Sequence, residues 1–414
     1  MRSFYLRRAC NNGGVNDAFD VQRFHLVYLP ERLAAGNAAL AAADAAPIGP
    51  ITFVTDSGEW TYVPEAGTIR VHEGVLDESR VVVQIDDASF ADLAADLDTP
   101  VAMLYQNRAT VVRGNPLRFV RWEPALRAMF HGRPIYNADT ISLIDDHGRV
   151  IDPLASFEMD AVHSDPQALA QQLSTVGFVV ARDVFDEAEI AALLNEADSL
   201  RASAQPGDGT SWWGKNADGE AVVTRVLNGS TMPTLQALYD NDSIRAIVAA
   251  TGLELRSAYR DEVDGVTVLW KIPNMVEGLA DLPWHRDCGM GGHAMNCPTL
   301  VMTICLTEGT PEAGELRALP GSHNTSYPFI DGNAPGAPTG VAVAVSAGDV
   351  SVHDGDVMHV SLPPTSAKGP HRVSVLLSFS RADAVQHRGE RHYNDALLSN
   401  TDGQVEHIGQ RLRG

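Results

Sequence analysis

His285 and Asp287, in the run Pro283-Trp284-His285-Arg286-Asp287-Cys288-Gly289, constrain this chain more than any other feature of it. In an extended backbone, side chains two apart leave on the same face. One imidazole and one carboxylate are therefore presented together to a single point. That is two thirds of the 2-His-1-carboxylate facial triad, which holds a non-haem Fe(II) and leaves coordination positions open for chemistry. A lone His-x-Asp is a weak signal, and what strengthens it lies downstream.

The downstream stretch reads Gly348-Asp349-Val350-Ser351-Val352-His353-Asp354-Gly355-Asp356-Val357-Met358-His359, then Gly369-Pro370-His371-Arg372-Val373-Ser374 through Phe379. His359 can supply the distal imidazole. Arg372 and Ser374 lie two apart in an alternating run, so they share one strand face while Val373, Val375, Leu377 and Phe379 take the other. A buried Arg needs a carboxylate partner, because an unpaired charge in an apolar setting is very costly. Its planar fork suits bidentate recognition of one. A metal triad followed by an inward Arg-x-Ser is what an iron enzyme needs to hold 2-oxoglutarate, with the far carboxylate on Arg372 and Ser374. Charge-assisted bonds of this kind contribute about 1.5–3 kcal/mol each.

These motifs resemble the phytanoyl-CoA dioxygenase family of Fe(II)/2-oxoglutarate oxygenases over roughly residues 160–382. The resemblance rests on an ordered set. Gly177-Phe178-Val179-Val180 runs through Val184-Phe185-Asp186 into a helix. Trp284-His285-Arg286-Asp287 follows, then Leu319-Pro320-Gly321-Ser322-His323, Gly348-Asp349, His359 and Arg372-Val373-Ser374. The resemblance implies His285, Asp287 and His359 as iron ligands, Arg372 and Ser374 as the 2-oxoglutarate anchor, and O2 as the oxidant. Lys271, in Trp270-Lys271-Ile272-Pro273, matches a lysine that assists cosubstrate binding. Related halogenases replace the carboxylate with a small residue, so Asp287 favours oxygenation. The implied reaction is hydroxylation, or another oxidation, of a small and hydrophobic metabolite, with release of succinate and CO2.

At 414 residues the chain is too long for one ordinary core, and two domains are the expectation. A net charge of -22 argues against nucleic acid and anionic membrane surfaces, both of which need Lys/Arg clusters. No apolar stretch approaches the roughly 20 residues of a membrane span. The run Met1-Arg2-Ser3-Phe4-Tyr5-Leu6-Arg7-Arg8 lacks an apolar signal-peptide core. Cys10, Cys288, Cys297 and Cys305 are too few for a disulfide framework and wrongly spaced for zinc. They read as core or near-site thiols in a reducing cytoplasm, which would also keep iron ferrous.

The fold class expected is α+β: a small α+β domain over 1–145, then a helix-buttressed double-stranded β-helix, or jelly roll, within 146–414. In the first part the pattern predicts a helix over 28–46 and strands at Ile51–Thr55, Trp60–Val63, Thr68–His72 and Arg80–Ile85. A helix near Phe90–Leu97 is capped by Asp86-Asp87-Ala88-Ser89. A strand pair follows at Met103–Tyr105 and Ala109–Arg113, then a helix carrying Trp122, Leu126 and Met129 on one face. Over about 50–135 this order resembles the sterol carrier protein-like fold, which implies an apolar tunnel. The equal alternative is a packing or dimerisation module. Residues 137–165 read as a linker. Asp165-Pro166 opens one helix and Asp186-Glu187-Ala188-Glu189 caps the next. Barrel strands fall near 267–272, 299–306, 315–319, 341–345, 349–353, 358–362 and 372–379, and such barrels carry sites in their mouths.

His353 rivals His359 as third ligand, but the family pattern places the ligand after this strand. His323 reads as a loop residue of a Pro-Gly-Ser-His turn, His371 faces away from Arg372, and His163 and His293 carry no argument. Trp212-Trp213-Gly214-Lys215 reads as a lid over substrate or as an ordinary loop anchor, and 383–414 as a polar extension. The partner expected is a small molecule, lipid-like or terpenoid, and the oligomeric state is open, a dimer included. Two other readings stay open. One is a non-catalytic lipid-binding or scaffold protein with a vestigial oxygenase core. The other is a zinc or manganese cupin, against which the Arg-x-Ser strand counts.

Overall fold

The structure is a computed structural model describing residues 19–257, 260, 265–279, 281–288, 299–327, 330, 332, 335–381 and 401–405. His293, Cys10 and Cys297 lie outside the described residues, as do 383–400 and 406–414 of the polar extension.

Five short strands form the first sheet: β1 (Ile51–Val54), β2 (Glu59–Glu65), β3 (Thr68–Glu73), β4 (Val81–Ile85) and β5 (Ala109–Gly114). Their order is β3-β2-β1-β4-β5, with β1 and β4 parallel and the other pairs antiparallel. The apolar run Val81-Val82-Val83 occupies a buried inner strand, as an unbroken apolar segment should. Helix Pro116–His131 packs against the helix Ala38–Ala45 and contributes the fully buried Phe119, Trp122, Leu126 and Met129. The Ala-rich helix extends further back than its sequence pattern predicts. Its turns run from Val21 to Ala45, alternate between α and π, and bend at Gly36.

Aromatic rings fill the space between this sheet and its helices. Phe53, Tyr62, Phe90, Phe119, Trp122 and Phe130 are fully buried or nearly so, and many of their ring pairs meet edge to face. Nothing in this packing supports the apolar tunnel implied by the sterol carrier protein-like resemblance. Met103–Tyr105 is a correction: it belongs to the helix Pro100–Tyr105, not to a strand. Thr99 accepts from the Ala102 N–H as N-cap, and Pro100 sits in the first turn where its missing N–H is harmless. Those two start signals decide for a helix what a short apolar run leaves open.

The second part is the expected jelly roll. Its strands are β6 (Ser156–Glu158), β7 (Phe178–Arg182), β8 (Ser211–Asn216), β9 (Ala221–Val226), β10 (Leu255–Arg256), β11 (Val266–Trp270) and β12 (Met275–Glu277). They continue with β13 (Thr299–Cys305), β14 (Leu316–Ala318), β15 (Val341–Ala342), β16 (Val350–Asp354), β17 (His359–Ser361) and β18 (Val373–Arg381). The large sheet runs β12-β8-β9-β11-β18-β13-β16-β7-β6, with β10 on β18, and the small sheet is β15-β14-β17. Apolar side chains of both sheets meet in one cluster, Phe178, Val180 and Cys305 from the large sheet with Ala318 from the small. The other face of the large sheet packs on the helices Pro166–Val176, Glu187–Ser203 and Asp242–Ala250. The capping box at Asp186 and Glu189 forms as its sequence requires.

Two family glycines have steric reasons. Gly177 ends a helix at φ +92°, and a Cβ there would come within 2.5 Å of His323 and Val357. Gly348 has the same φ, and a Cβ would lie 2.5 Å from the Phe185 carbonyl oxygen. The segment read as a linker ends in β6 and the helix Met159–Ser164, because β6 pairs in parallel with β7 and its Phe157 packs on the core. Trp212-Trp213-Gly214-Lys215 is β8 of the large sheet, neither lid nor loop. Trp212 is buried under the Arg225 guanidinium, 4.3 Å from the ring centre. The tail residue Gly403 accepts from the Trp213 N–H, and Val405 is fully buried, so this piece of the extension docks on β8. No helix among the described residues is long and apolar enough to cross a membrane.

Candidate metal centre

His285 and His359 come from segments far apart in sequence and are joined backbone to backbone. Each N–H donates to the other's carbonyl at 2.9 Å, an isolated antiparallel bridge. The pairing puts the two imidazoles side by side, 4.2 Å between ring centres. Each ring is then fixed by its own chain: His285 Nδ1 donates to the Pro283 carbonyl at 2.7 Å, and His359 Nδ1 to the Val357 carbonyl at 2.9 Å. A donating Nδ1 leaves Nε2 as the lone-pair nitrogen, the tautomer a metal needs. Both Nε2 atoms face Asp287 Oδ1, at 3.4 Å and 3.7 Å. The three candidate ligand atoms lie within 4.8 Å of one another, so the structure brings together the three residues that the family resemblance implies as ligands.

Electrostatics bear on two of these groups. Burial lowers the His359 pKa to about 3, helped by His285 beside it, so the ring is neutral at physiological pH. Burial alone would raise Asp287, but His359, His285 and His353 hold its carboxyl well below the usual carboxylate range.

His353 stands behind the carboxylate. Its Nε2 lies 3.1 Å from Asp287 Oδ2, the oxygen turned away from the other two histidines. It projects from β16 and is buried. His323 sits in the expected turn with Nε2 on the Ser174 carbonyl, and the neighbouring Ser322 Oγ accepts from the Met358 N–H, bracing the residue before His359. Gly348-Asp349 is a structural motif as well. Buried Asp349 accepts from Ser346 N, Asp183 N and Arg182 Nη1, at 2.7–3.0 Å.

Arg372 and Ser374 share one face of β18 and its approach. Both are buried, Ser374 completely. One Arg372 nitrogen donates to Ser361 Oγ at 2.6 Å, while its Nε has no partner among the described residues, and neither has Ser374 Oγ. Lys271 lies on the neighbouring chain segment, its N–H on the Arg372 carbonyl. Its buried Nζ donates to Asp281 at 2.7 Å and to the Ser361 carbonyl at 2.8 Å. Burial lowers its pKa to about 7, against the pull of Asp281. Ser361, which sequence reasoning missed, contacts both cations, through its hydroxyl and its carbonyl. Its place two residues after His359 on β17 was the available signal.

Cys288 corrects the thiol reading: it is disulfide-bonded, with its partner outside the described residues, while Cys305 is a buried free thiol.

The phytanoyl-CoA dioxygenase model matches residues 173–373. Among solved structures the chain is similar to EvdMO1 at 25% identity and a TM-score of 0.41, over 52% of this chain and 50% of that one. The match thus spans half of that chain's length. It is similar to AviO1 from Streptomyces viridochromogenes Tue57 at 25% identity and a TM-score of 0.41, over 53% of this chain and 97% of that one. It is also similar to SnoN, a non-haem α-ketoglutarate-dependent epimerase of nogalamycin biosynthesis, at 21% identity and a TM-score of 0.44, over 56% and 87%. No curated protein matches the sequence.

Proposed function

We propose, from the match of residues 173–373 to the phytanoyl-CoA dioxygenase model, that the chain is an iron- and 2-oxoglutarate-dependent oxygenase that hydroxylates a small, hydrophobic metabolite. In this reading His285, Asp287 and His359 hold Fe(II), and Arg372, Ser374 and Lys271 hold 2-oxoglutarate. Residues 146–414 form the oxygenase domain and 1–145 an α+β domain.

The donor set suits the metal: two imidazoles that present Nε2 because Nδ1 is held by a backbone carbonyl, and one ionised carboxylate, are the donors of a ferrous facial triad. The cosubstrate site suits a carboxylate, since Ser374 Oγ and Arg372 Nε are buried donors with no acceptor among the described residues. Orphaned polar atoms of this kind cost stability until a partner arrives. Iron with 2-oxoglutarate and O2 supplies the oxidation of an unactivated C–H bond, with loss of succinate and CO2.

The chain's own residues do the rest. The His285–His359 bridge fixes two ligands rigidly, and Asp287 balances part of the metal's charge. Arg372 and Ser374 set the orientation of the keto acid from its far end, and Lys271 adds positive charge beside it. Trp284, Leu319, Tyr327, Met358 and Val360 form an apolar cluster flanking the two histidines. The convergence of three ligand atoms within 4.8 Å carries this proposal. Succinate released from 2-oxoglutarate in the presence of Fe(II) and O2 tests it. Wild type should release succinate and Asp287→Ala should not. Equal release by both would remove Asp287 from the site.

A further inference from the structure

The ligand-bearing segments carry a second set of charges that the oxygenase chemistry does not use. Arg286 lies between His285 and Asp287, and its side chain runs away from the face where those two meet. Its guanidinium donates to Asp356 Oδ1 at 2.6 Å and to Glu123 Oε1. Asp356 precedes His359 in the turn that delivers it. Its other oxygen accepts from Arg133 at 2.5 Å and Arg127 at 3.2 Å. Arg127 also reaches Asp96 Oδ2 at 3.2 Å, and Arg133 donates to the His323 carbonyl.

Three guanidinium groups and three carboxylates thus form one charge-balanced cluster, with side-chain exposures of 3–12%. Buried ion pairs of this kind are poor stabilisers beside apolar packing of the same volume, and their best-attested use is fixing register. Here the register in question is visible. Arg286 grips the His-x-Asp segment from behind, and Asp356 grips the turn feeding His359. The two are bonded to each other, and Asp356 is held by both arginines.

Glu123 and Arg127 belong to the helix Pro116–His131, Arg133 follows it, and all three precede the family-matched region. We propose that Glu123, Arg127 and Arg133 are positioning residues for the metal centre. Through the Arg286–Asp356 pair, the helix of the first part sets the spacing between the His-x-Asp motif and His359. The inference rests on the metal reading above. It gives the first part a task in the oxygenase that requires no ligand of its own.

Co(II) binding by the full chain tests it, read as a dissociation constant and a ligand-field absorption spectrum, with thermal unfolding alongside. Partners that orient metal ligands typically contribute about 10–100-fold to affinity. Glu123→Gln and Arg127→Met should therefore weaken Co(II) binding about tenfold or more and change the band shape, while Arg127→Lys recovers most of the loss. If Arg127→Met does not fold, Glu123→Gln, which keeps the shape and removes one charge, carries the comparison. Folded variants with a lower melting temperature but the wild-type constant and spectrum would overturn the inference, leaving the cluster as a joint between the two parts. Asp287→Ala serves as the control. If it binds Co(II) as wild type does, the metal reading fails, and the positioning role fails with it.

Discussion

Removing the Ser374 hydroxyl should move two quantities in opposite directions. Ser374 Oγ is completely buried near the start of β18, flanked by β11 and β13, and has no hydrogen-bond partner among the described residues. A buried polar group left unsatisfied costs about 1–3 kcal/mol, so Ser374→Ala should stabilise the cosubstrate-free protein by an amount in that range. In a chain of this size the melting temperature would rise by about 2 °C per kcal/mol or less. The same hydroxyl is assigned to the far carboxylate of 2-oxoglutarate. A hydrogen bond to a charged group is worth about 1.5–3 kcal/mol, which is a loss of about 10- to 150-fold in affinity. The assay is a pair of melting curves with and without 2-oxoglutarate and a redox-inert divalent metal, supported by calorimetric titration. The stabilisation by cosubstrate should shrink as the baseline rises. A lower melting temperature with unchanged affinity would refute the reasoning, because Ser374 would then be satisfied internally and uninvolved in binding.

Arg372→Lys keeps the charge and loses the fork, so the 2-oxoglutarate concentration for half-maximal succinate release should rise about tenfold or more; an unchanged requirement removes Arg372 as anchor. His25 should make the first part acid-sensitive. Its Nδ1 donates to the Val21 carbonyl, its Nε2 accepts from the Tyr62 hydroxyl, and it stacks on Trp60, so the buried ring is fully satisfied while neutral. Burial lowers its pKa to about 4. The unfolded chain therefore takes up the proton first, and about 3 kcal/mol present above pH 6.5 is lost as the pH falls toward 4. Urea midpoints of wild type and His25→Asn should converge over that window, and parallel curves would contradict the assignment. Gly348→Ala forces a Cβ against the Phe185 carbonyl at a positive φ, and should destabilise by more than about 1 kcal/mol in chemical denaturation. A neutral result would mean the turn relaxes freely.

Much of the metal site was legible because its signals are local. The two-residue period presents His285 with Asp287 and Arg372 with Ser374, and a short-range pattern survives whatever the tertiary structure does. His359 is less local. It was separated from His353 by its place after β16, and the structure leaves His353 beside Asp287 rather than on the bridge with His285. The elements misread were those whose identity depends on partners. Trp212–Lys215 looked like a Gly-flanked loop, and became a strand because β9, β12 and the tail pair with it. Met103–Tyr105 was misread for a different, local reason: the run is apolar throughout, and the helix start signals stood just upstream in Thr99 and Pro100. The cluster behind the ligands was invisible. Arg286 meets Glu123 across 163 residues, and Arg127 meets Asp356 across 229, distances at which no pattern of spacing operates. Cys288 was misjudged for the same reason, since cysteine spacing alone does not reveal which thiols meet in space.

The most direct test of the iron site is anaerobic addition of Fe(II) and 2-oxoglutarate to wild type and Asp287→Ala, watching for a visible metal-to-ligand charge-transfer band. The account predicts a band in wild type that needs both components and is absent from Asp287→Ala. Iron binding by wild type without a band would contradict it at the cosubstrate, and a band of equal strength in Asp287→Ala would contradict it at the metal.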